Sequence, residues 1–442
     1  MSAGAIPERF PAGFGDVVAD AMDSMMEMVL GSRLTFAERL DPDALARAAR
    51  LLLDLEPVLG CWWDESFGGA DWVRCADLDE QVVFSTADSD DPDRDAAAFH
   101  GTPFDPKGPR LAVLLLRSRD HDDLCVRFDH VAGDGWSARE VTHLLAETYS
   151  RVLDDPDYVP VPRTAPRPTH ADVWAALTDE QRALKTQAPP MSASKWAMKA
   201  QRGRGSGYAV RTLTLAPERV AAIRAYAHDR GATVNEALVA SAVRSAASMF
   251  PLRPGVRPGV SISADTRRIA RNEGLNRLAN IATTQIVLMD YRHGESFDET
   301  LRHVIDGVKP YRDSLWSITA SQVDTMPAPV AMRAMFAFMT ATMRLLHGMS
   351  LVCMNVGPFD EKRLAFGEVL PVAAIGTGPA TRFAGLPALI SSYRDAMTIW
   401  MGFREEHIAP EVVERYLAGI DEQLATALEP GMAEARMAGW DA

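Results

Sequence analysis

The sequence predicts a mixed α/β chain with more than one domain. Short stretches of period-two hydrophobicity, which read as strands, alternate with longer stretches of helical spacing. At 442 residues the chain has room for two or three domains of roughly 100–200 residues each. Hydrophobic residues make up 47% of it, enough for a sizeable core and against disorder.

The elements follow in chain order. Residues 15–30 read as a methionine-rich helix (Met22, Met25, Met26, Met28) whose thioethers fill core gaps. Residues 34–36 read as a short strand. Asp41 as N-cap and Pro42 at the first helical position open the next helix, with the apolar stripe Leu45, Ala48, Ala49 and Leu52. Residues 61–63 and 71–73 read as strands. The acidic run from Asp88 to Asp95 lacks the glycine and glutamate of a calcium loop and reads as a solvated turn. Residues 109–117 form an apolar strand, 118–123 a polar turn, and 124–129 the returning strand of a hairpin. A helix follows over 139–153.

Prolines 160, 162, 166 and 168 mark a connector, with a short helix over 170–185. The Gly-rich run 203–207 lacks the Lys-Ser/Thr ending of a P-loop and reads as an exposed basic loop. With Lys195, Lys199, Arg202 and Arg204 it offers charge that could steer a phosphate-bearing partner. The second half opens with a strand over 208–215 and a helix over 217–228. Thr233 and Glu236 then form a capping box ahead of a buried helix to Phe250. Residues 260–264 read as a strand, 332–349 as a helix packed inside the second half, 389–393 and 397–403 as late strands, and 410–428 as a final helix.

The stretch that carries chemistry is Leu124 to Trp136. Leu124, Val126 and Phe128 alternate with Cys125, Arg127 and Asp129, so His130 falls where a strand meets a turn. Gly133 and Gly135 bracket Asp134. Glycine adopts positive φ and lets a backbone or ligand come close. Ser137 and Glu140 fit a capping box at the start of the next helix. Imidazole has a reference pKa of about 6.5, suited to proton transfer near neutral pH. A neutral His130 could take a proton from an alcohol or amine attacking a carbonyl, and Asp134 could brace the loop. The glycines argue against a helical His/Asp metal pair, and no further ligand pair is evident.

These residues resemble the His-His-x-x-x-Asp-Gly signature of the chloramphenicol-acetyltransferase-like superfamily, which includes nonribosomal-peptide condensation domains and polyketide-associated acyltransferases. His130 matches the active second histidine, Asp134 the aspartate and Gly135 the glycine; Asp129 replaces the first histidine. The plant-type branch also keeps only the second histidine, but its Asp-Phe-Gly-Trp-Gly motif is absent here. Weaker matches lie at 40–59, 232–238, 280–284 and 351–358.

The resemblance implies an α+β sandwich of two similar halves in a V-shaped pseudo-dimer with a central channel. It divides the chain into an N-terminal half (1–165), a connector (166–209) and a C-terminal half (210–442). It implies His130 as general base, with Asp134, Gly135 and Arg267 supporting the motif; Arg268 is the next-best match for the bracing arginine. Asp129, Trp136 and Asn355 would line the substrate channel, and Asn355 could equally serve a turn through Gly357 and Pro358. Backbone N–H groups near Gly135 could stabilise an oxyanion. The expected co-substrate is an acyl-CoA or a phosphopantetheinyl carrier protein, the acceptor an alcohol or amine, with no metal or redox cofactor. Such chemistry belongs to natural product biosynthesis, nonribosomal peptides included. Cyclisation, elimination or hydrolysis of a tethered substrate, or carrier binding without catalysis, are alternatives.

The net charge of −14, from 46 basic and 60 acidic residues, disfavours nucleic acid or an anionic membrane as the main partner. The four cysteines have neither zinc-site nor redox-motif spacing and are expected as free thiols in a reducing cytoplasm. The first ten residues lack an apolar signal-peptide region. No apolar run reaches the ~18 residues of a membrane helix; the nearest, 334–343, is closed by Arg333 and Arg344.

Overall fold

A computed structural model describes residues 5–66, 69–184, 205, 207–250, 252, 255–315, 328–345 and 350–438. The basic residues Lys195, Lys199, Arg202 and Arg204 lie outside them. In chain order the strands are β1 (Arg9–Pro11), β2 (Val29–Phe36), β3 (Cys61–Ser66), β4 (Gly69–Arg74), β5 (Phe84–Asp88), β6 (Leu111–Arg117), β7 (Asp122–Asp129), β8 (Tyr208–Leu215), β9 (Gly259–Ala264), β10 (Thr283–Leu288), β11 (Ser350–Pro358), β12 (Ala373–Thr377), β13 (Gly385–Tyr393) and β14 (Ala396–Arg404). The helices are α1 (Phe14–Ala21), α2 (Pro42–Leu55), α3 (Pro92–His100), α4 (Gly135–Asp154), α5 (His170–Ala176), α6 (Asp179–Leu184), α7 (Pro217–Asp229), α8 (Val234–Met249), α9 (Thr266–Ala270), α10 (Phe297–Asp313), α11 (Pro329–Leu345) and α12 (Pro410–Ala438).

Two larger sheets define two lobes. The first is five-stranded in the order β12-β2-β7-β6-β5, and the second six-stranded in the order β10-β9-β11-β13-β14-β8. Helices α2 and α4 cover the first sheet, burying Leu45, Leu52, Leu53, Val141, Leu144 and Leu145. Helices α8 and α12 do the same for the second through Leu238, Val239, Val243, Val413, Tyr416 and Ile420.

The lobes repeat one another. In the first, β5 runs parallel to β6, β6 antiparallel to β7, and β7 antiparallel to β2. In the second, β11 runs parallel to β13, β13 antiparallel to β14, and β14 antiparallel to β8. Each hairpin, β6–β7 and β13–β14, feeds the helix that covers its sheet, α4 or α12.

The lobes are not separate in sequence. Strand β12, from the C-terminal half, pairs with β2 of the first sheet from Ala373–Thr35 to Thr377–Gly31, so the division at 165 and 210 does not follow the sheets. The connector is divided as well. Arg167 docks into the first lobe, while Val173 and Leu177 pack with Leu275, Ala279 and Ile281 of the second half.

Several local expectations are revised. The 15–30 segment is α-helical only to Ala21, continues as a 3-10 turn over Met22–Ser24, and enters β2 at Val29. Asp91 accepts from the N–H of Arg94 and caps α3, so the acidic run is partly a helix start. β7 is buried on both faces because it is central, with α2 and α4 on one face and α3 packing on the other through Ala96 and Phe99 against Leu114, Leu116 and Cys125. Helix α11 packs against α1 rather than inside the second lobe, leaving Phe338 at 73% and Leu345 at 78% exposure. All four cysteines are buried and free. Among the described residues no helix is long and apolar enough to cross a membrane.

Candidate functional site

Strand β7 ends at Asp129, and residues 130–132 turn as one 3-10 segment before α4. Asp129 caps that turn: its Oδ1 accepts from the Val131 N–H at 2.9 Å and its Oδ2 from Arg110 Nη1 at 3.1 Å. The carboxylate is thus buried and committed to the loop. A strand-end carboxylate beside buried Arg110 neutralises it and satisfies an otherwise orphaned N–H at once.

The backbone of His130 is held on both sides. Its N–H donates to the Met28 carbonyl at 2.9 Å, and its carbonyl accepts from Asn280 Nδ2 at 3.0 Å. Its imidazole is not held. The residue is half-buried, and Nδ1 is buried with no hydrogen-bond partner among the described residues. Buried polar atoms are nearly always paired, so an orphan on a half-open ring marks a functional candidate.

Asp134 is the hub of the loop. Its Oδ2 accepts from Arg267 Nη1 at 2.9 Å and from the N–H groups of Ile281 and Ala282 at 3.1 and 3.0 Å. Its Oδ1 accepts from the Ser137 N–H at 3.1 Å and the Ser137 hydroxyl at 3.0 Å. Burial pushes this carboxyl up, but the Arg267 charge and the N–H donors outweigh it and hold it below the usual carboxylate range. Arg267 in turn donates to the carbonyls of Leu275, Arg277 and Ala279. Its guanidinium lies 4.4 Å from the ring centroid of half-buried Trp136.

Asp134, not Ser137, is therefore the N-cap of α4, and the helix starts at Gly135. A carboxylate cap three residues earlier displaces the expected capping box, and Glu140 instead forms a bidentate pair with Arg363 at 2.6 and 2.9 Å. The glycines serve close approach. Gly133 is extended, with φ 170°, and a Cβ there would sit 2.6 Å from Ser137 Cβ. A Cβ on Gly135 would sit 2.7 Å from Cγ1 of Val356, on β11 of the other lobe. Asn355 is exposed, and its Oδ1 accepts from the Gly357 N–H at 2.8 Å. It shapes the bulge at Gly357, whose φ is +83°.

A second clamp carries no local sequence signal. Asp16, buried on α1, accepts from Trp72 Nε1 at 3.0 Å, Arg167 Nη1 at 2.6 Å and Asn280 Nδ2 at 3.1 Å. Arg167 Nη2 donates to the Ala132 carbonyl at 2.6 Å, and Asn280 Nδ2 to the Val131 carbonyl at 2.8 Å. The histidine loop is thus held by residues from the first helix, the connector and the second half.

No protein-family model matches the sequence, and no curated protein matches it. Solved structures do match, over nearly the whole chain. The first condensation domain of the calcium-dependent antibiotic synthetase, in complex with a substrate analogue, is 17% identical with a TM-score of 0.63, covering 96% of this chain and 97% of that one. Polyketide synthase associated protein 5 from Mycobacterium tuberculosis is 16% identical with a TM-score of 0.64, covering 96% and 99%. The condensation domain of the Monacolin K polyketide synthase MokA is 13% identical with a TM-score of 0.66, covering 97% and 99%. An epimerization domain of tyrocidine synthetase B, the EpoB cyclization-docking bidomain from Sorangium cellulosum and the X-domain from teicoplanin biosynthesis also match. The chain has the two-lobed condensation-domain fold.

Proposed function

We propose that this chain is a condensation-type acyltransferase with His130 as its general base. Nε2 takes the proton of an alcohol or amine as that group attacks a thioester carbonyl. The carbon–sulfur bond breaks, an ester or amide bond forms, and the proton passes to the leaving thiolate. Backbone N–H groups at the start of α4 are the candidate oxyanion donors. Asp134 and Arg267 position the loop without touching the reacting atoms. The donor is an acyl-CoA or an acyl or peptidyl carrier protein.

The observation that carries this reading is an unpaired, half-open imidazole on a loop whose backbone is fixed from both lobes. A fixed base in a tight clamp suits proton transfer better than structural duty. A second reading keeps the fold and changes the reaction. Asp129, where the family signature has a histidine, is sequestered by Arg110, and the matched structures include epimerization, cyclization and X-domains. Cyclisation, elimination or hydrolysis of a tethered substrate, or carrier binding without turnover, would follow.

Mass spectrometry with a panel of acyl-loaded carriers and CoA thioesters, each with alcohol and amine acceptors, separates these readings. Acyl transfer adds the acyl mass to the acceptor. A product of unchanged mass, loss of water, or carrier binding with no product would overturn it in favour of the second reading.

A further inference from the structure

Helix α11 is apolar on two sides. One side, with Met332 and Thr340 buried, rests on α1 and on the Met22–Ser24 turn. The other faces solvent, and among the described residues nothing covers it. A helix that is apolar all round is ordinarily buried all round. The helix has two charged residues, and both turn back onto the protein. Arg333 pairs with Asp20 and with Glu65, each at 2.7 Å. Arg344 Nη2 donates to the Arg382 carbonyl at 2.6 Å. The outer face is therefore left without charge.

That face has a pattern. Ala331, Ala334, Phe338, Ala341 and Leu345 are all exposed, and they follow one another at spacings of 3, 4, 3 and 4 residues. This alternation is the seam of a coiled coil, a stripe that pairs with a second helix. The order of large and small side chains selects the partner. In an antiparallel pair with a twofold axis beside residues 339 and 340, Phe338 meets Ala341 of a second copy. The same register sets Ala334 against Leu345 of that copy. Each layer then holds one large and one small side chain, which packs without gaps. Parallel pairing would stack phenylalanine on phenylalanine and alanine on alanine. A twofold contact uses the same patch on both chains and closes at two.

We propose that the outer face of α11 is a homodimer contact, with two copies paired antiparallel through the Phe338–Ala341 layers. It rests on no reading of the reaction. A helix of 17 residues is about 25 Å long, and one of its faces is smaller than the ~800 Å² per partner of a stable interface. The charge of −14 on each copy also opposes contact. The dimer is therefore weak, with a dissociation constant on the order of 100 μM, and salt that screens the charge strengthens it.

Sedimentation of the full-length protein from about 1 to about 500 μM tests this. The sedimentation coefficient is expected to rise toward that of a dimer at the upper end. Phe338→Glu, altered at an exposed side chain and checked for an unchanged melting temperature, is expected to weaken association at least about tenfold. Ala341→Phe enlarges the apolar face but fills the hole for Phe338, and is expected to weaken association as well. A protein monomeric throughout the range, or association that survives Phe338→Glu, overturns the proposal. Tighter association of Ala341→Phe means an unspecific apolar contact and overturns the register. Ala334→Cys/Leu345→Cys tests the register directly, since cysteines bridge only with Cα atoms within about 7 Å. The two positions lie about 16 Å apart on one helix, so any bridge between them joins two copies. Oxidation is expected to cross-link the double variant and not Ala334→Cys alone; cross-linking of Ala334→Cys alone overturns the antiparallel pairing. A protein that stays monomeric and binds uncharged phosphatidylcholine vesicles, with binding lost in Phe338→Glu, assigns the face to a membrane surface and overturns the dimer.

Discussion

The two lobes carry the same strand–loop–helix unit and use it differently. In the first, β7 ends at Asp129 and α4 begins at Gly135; in the second, β14 ends at Arg404 and α12 begins at Pro410. The loops, 130–134 and 405–409, have equal length. By position His130 corresponds to Glu405, Asp134 to Ala409 and Gly135 to Pro410. Both units reach the opposite lobe. Asp134 does so from inside its loop, with Asp134 and Arg267 side chains only 4% and 2% exposed. Arg404 does so from its strand end, pairing with Glu27 at 2.7 Å with side chains 23% and 14% exposed. One scaffold thus offers two loops at the seam. Only the first combines a histidine, a buried cross-lobe ion pair and glycines that let the other lobe approach.

The largest stability difference should separate the two ion pairs. Asp134→Ala leaves buried Arg267 with only the longer, partly exposed Asp265 pair at 3.3 Å and is expected to cost about 3–5 kcal/mol in denaturant unfolding. Glu27→Gln, in the more solvated pair, is expected to cost about 1 kcal/mol or less. Equal costs would remove the distinction between the clamps. An Asp134→Ala/Arg267→Met double variant should recover part of the loss, because the unpaired charge then left, on Asp265, is partly exposed rather than buried.

The close approach at the first loop gives a smaller effect. Gly135→Ala drives a Cβ into Val356 across the seam, at an expected cost of about 1–3 kcal/mol. A neutral Gly135→Ala would mean that the lobes part easily at this point.

The seam also contains an uncharged contact. His100 Nε2–H donates to the Gly378 carbonyl at 2.9 Å, and the ring packs on Tyr208 and Trp400 of the second sheet. Burial pushes its pKa down to about 4. The unfolded chain binds a proton at this side chain below about 6.5, while the folded protein resists until about 4. Its stabilising contribution is complete above the unfolded value and is lost as the pH falls through that interval. The contribution of Asp134, whose carboxyl is depressed, disappears only below its unfolded value of about 3.9. Melting temperatures from pH 7 to 4.5 should therefore fall, and His100→Gln should flatten that slope. An unchanged slope would rule out His100 as its source.

Legibility in the sequence followed the range of the interactions. The hairpin of β6 and β7, the cap at Asp41, the capping box of Thr233 and Glu236, and the late hairpin all announce themselves within a few residues. Asp134 as a brace is legible from the loop itself, whereas Arg267 as its partner is within reach only through the family resemblance. The exchanged strand β12 is short, and its partner β2 lies more than three hundred residues earlier. Nothing local marks Asp16, Arg167 and Asn280 as one network, because their contacts span 151 and 264 residues. The start of α4 was misplaced because Ser137 and Glu140 mimic a capping box, whereas the tertiary fold gives the cap to Asp134. The methionine-rich α11 read as core because composition does not reveal which face a helix lays on its neighbour.

The central distinction between the loops is tested most directly by paired substitutions. For whichever donor and acceptor give product, initial transfer rates of His130→Ala and His407→Ala are compared with the unaltered protein, all three verified as folded. His130→Ala is expected to lose about 10²–10⁴ in rate, the usual contribution of a positioned base, and His407→Ala to stay near the unaltered rate. A folded His130→Ala protein that transfers at an undiminished rate would contradict the assignment.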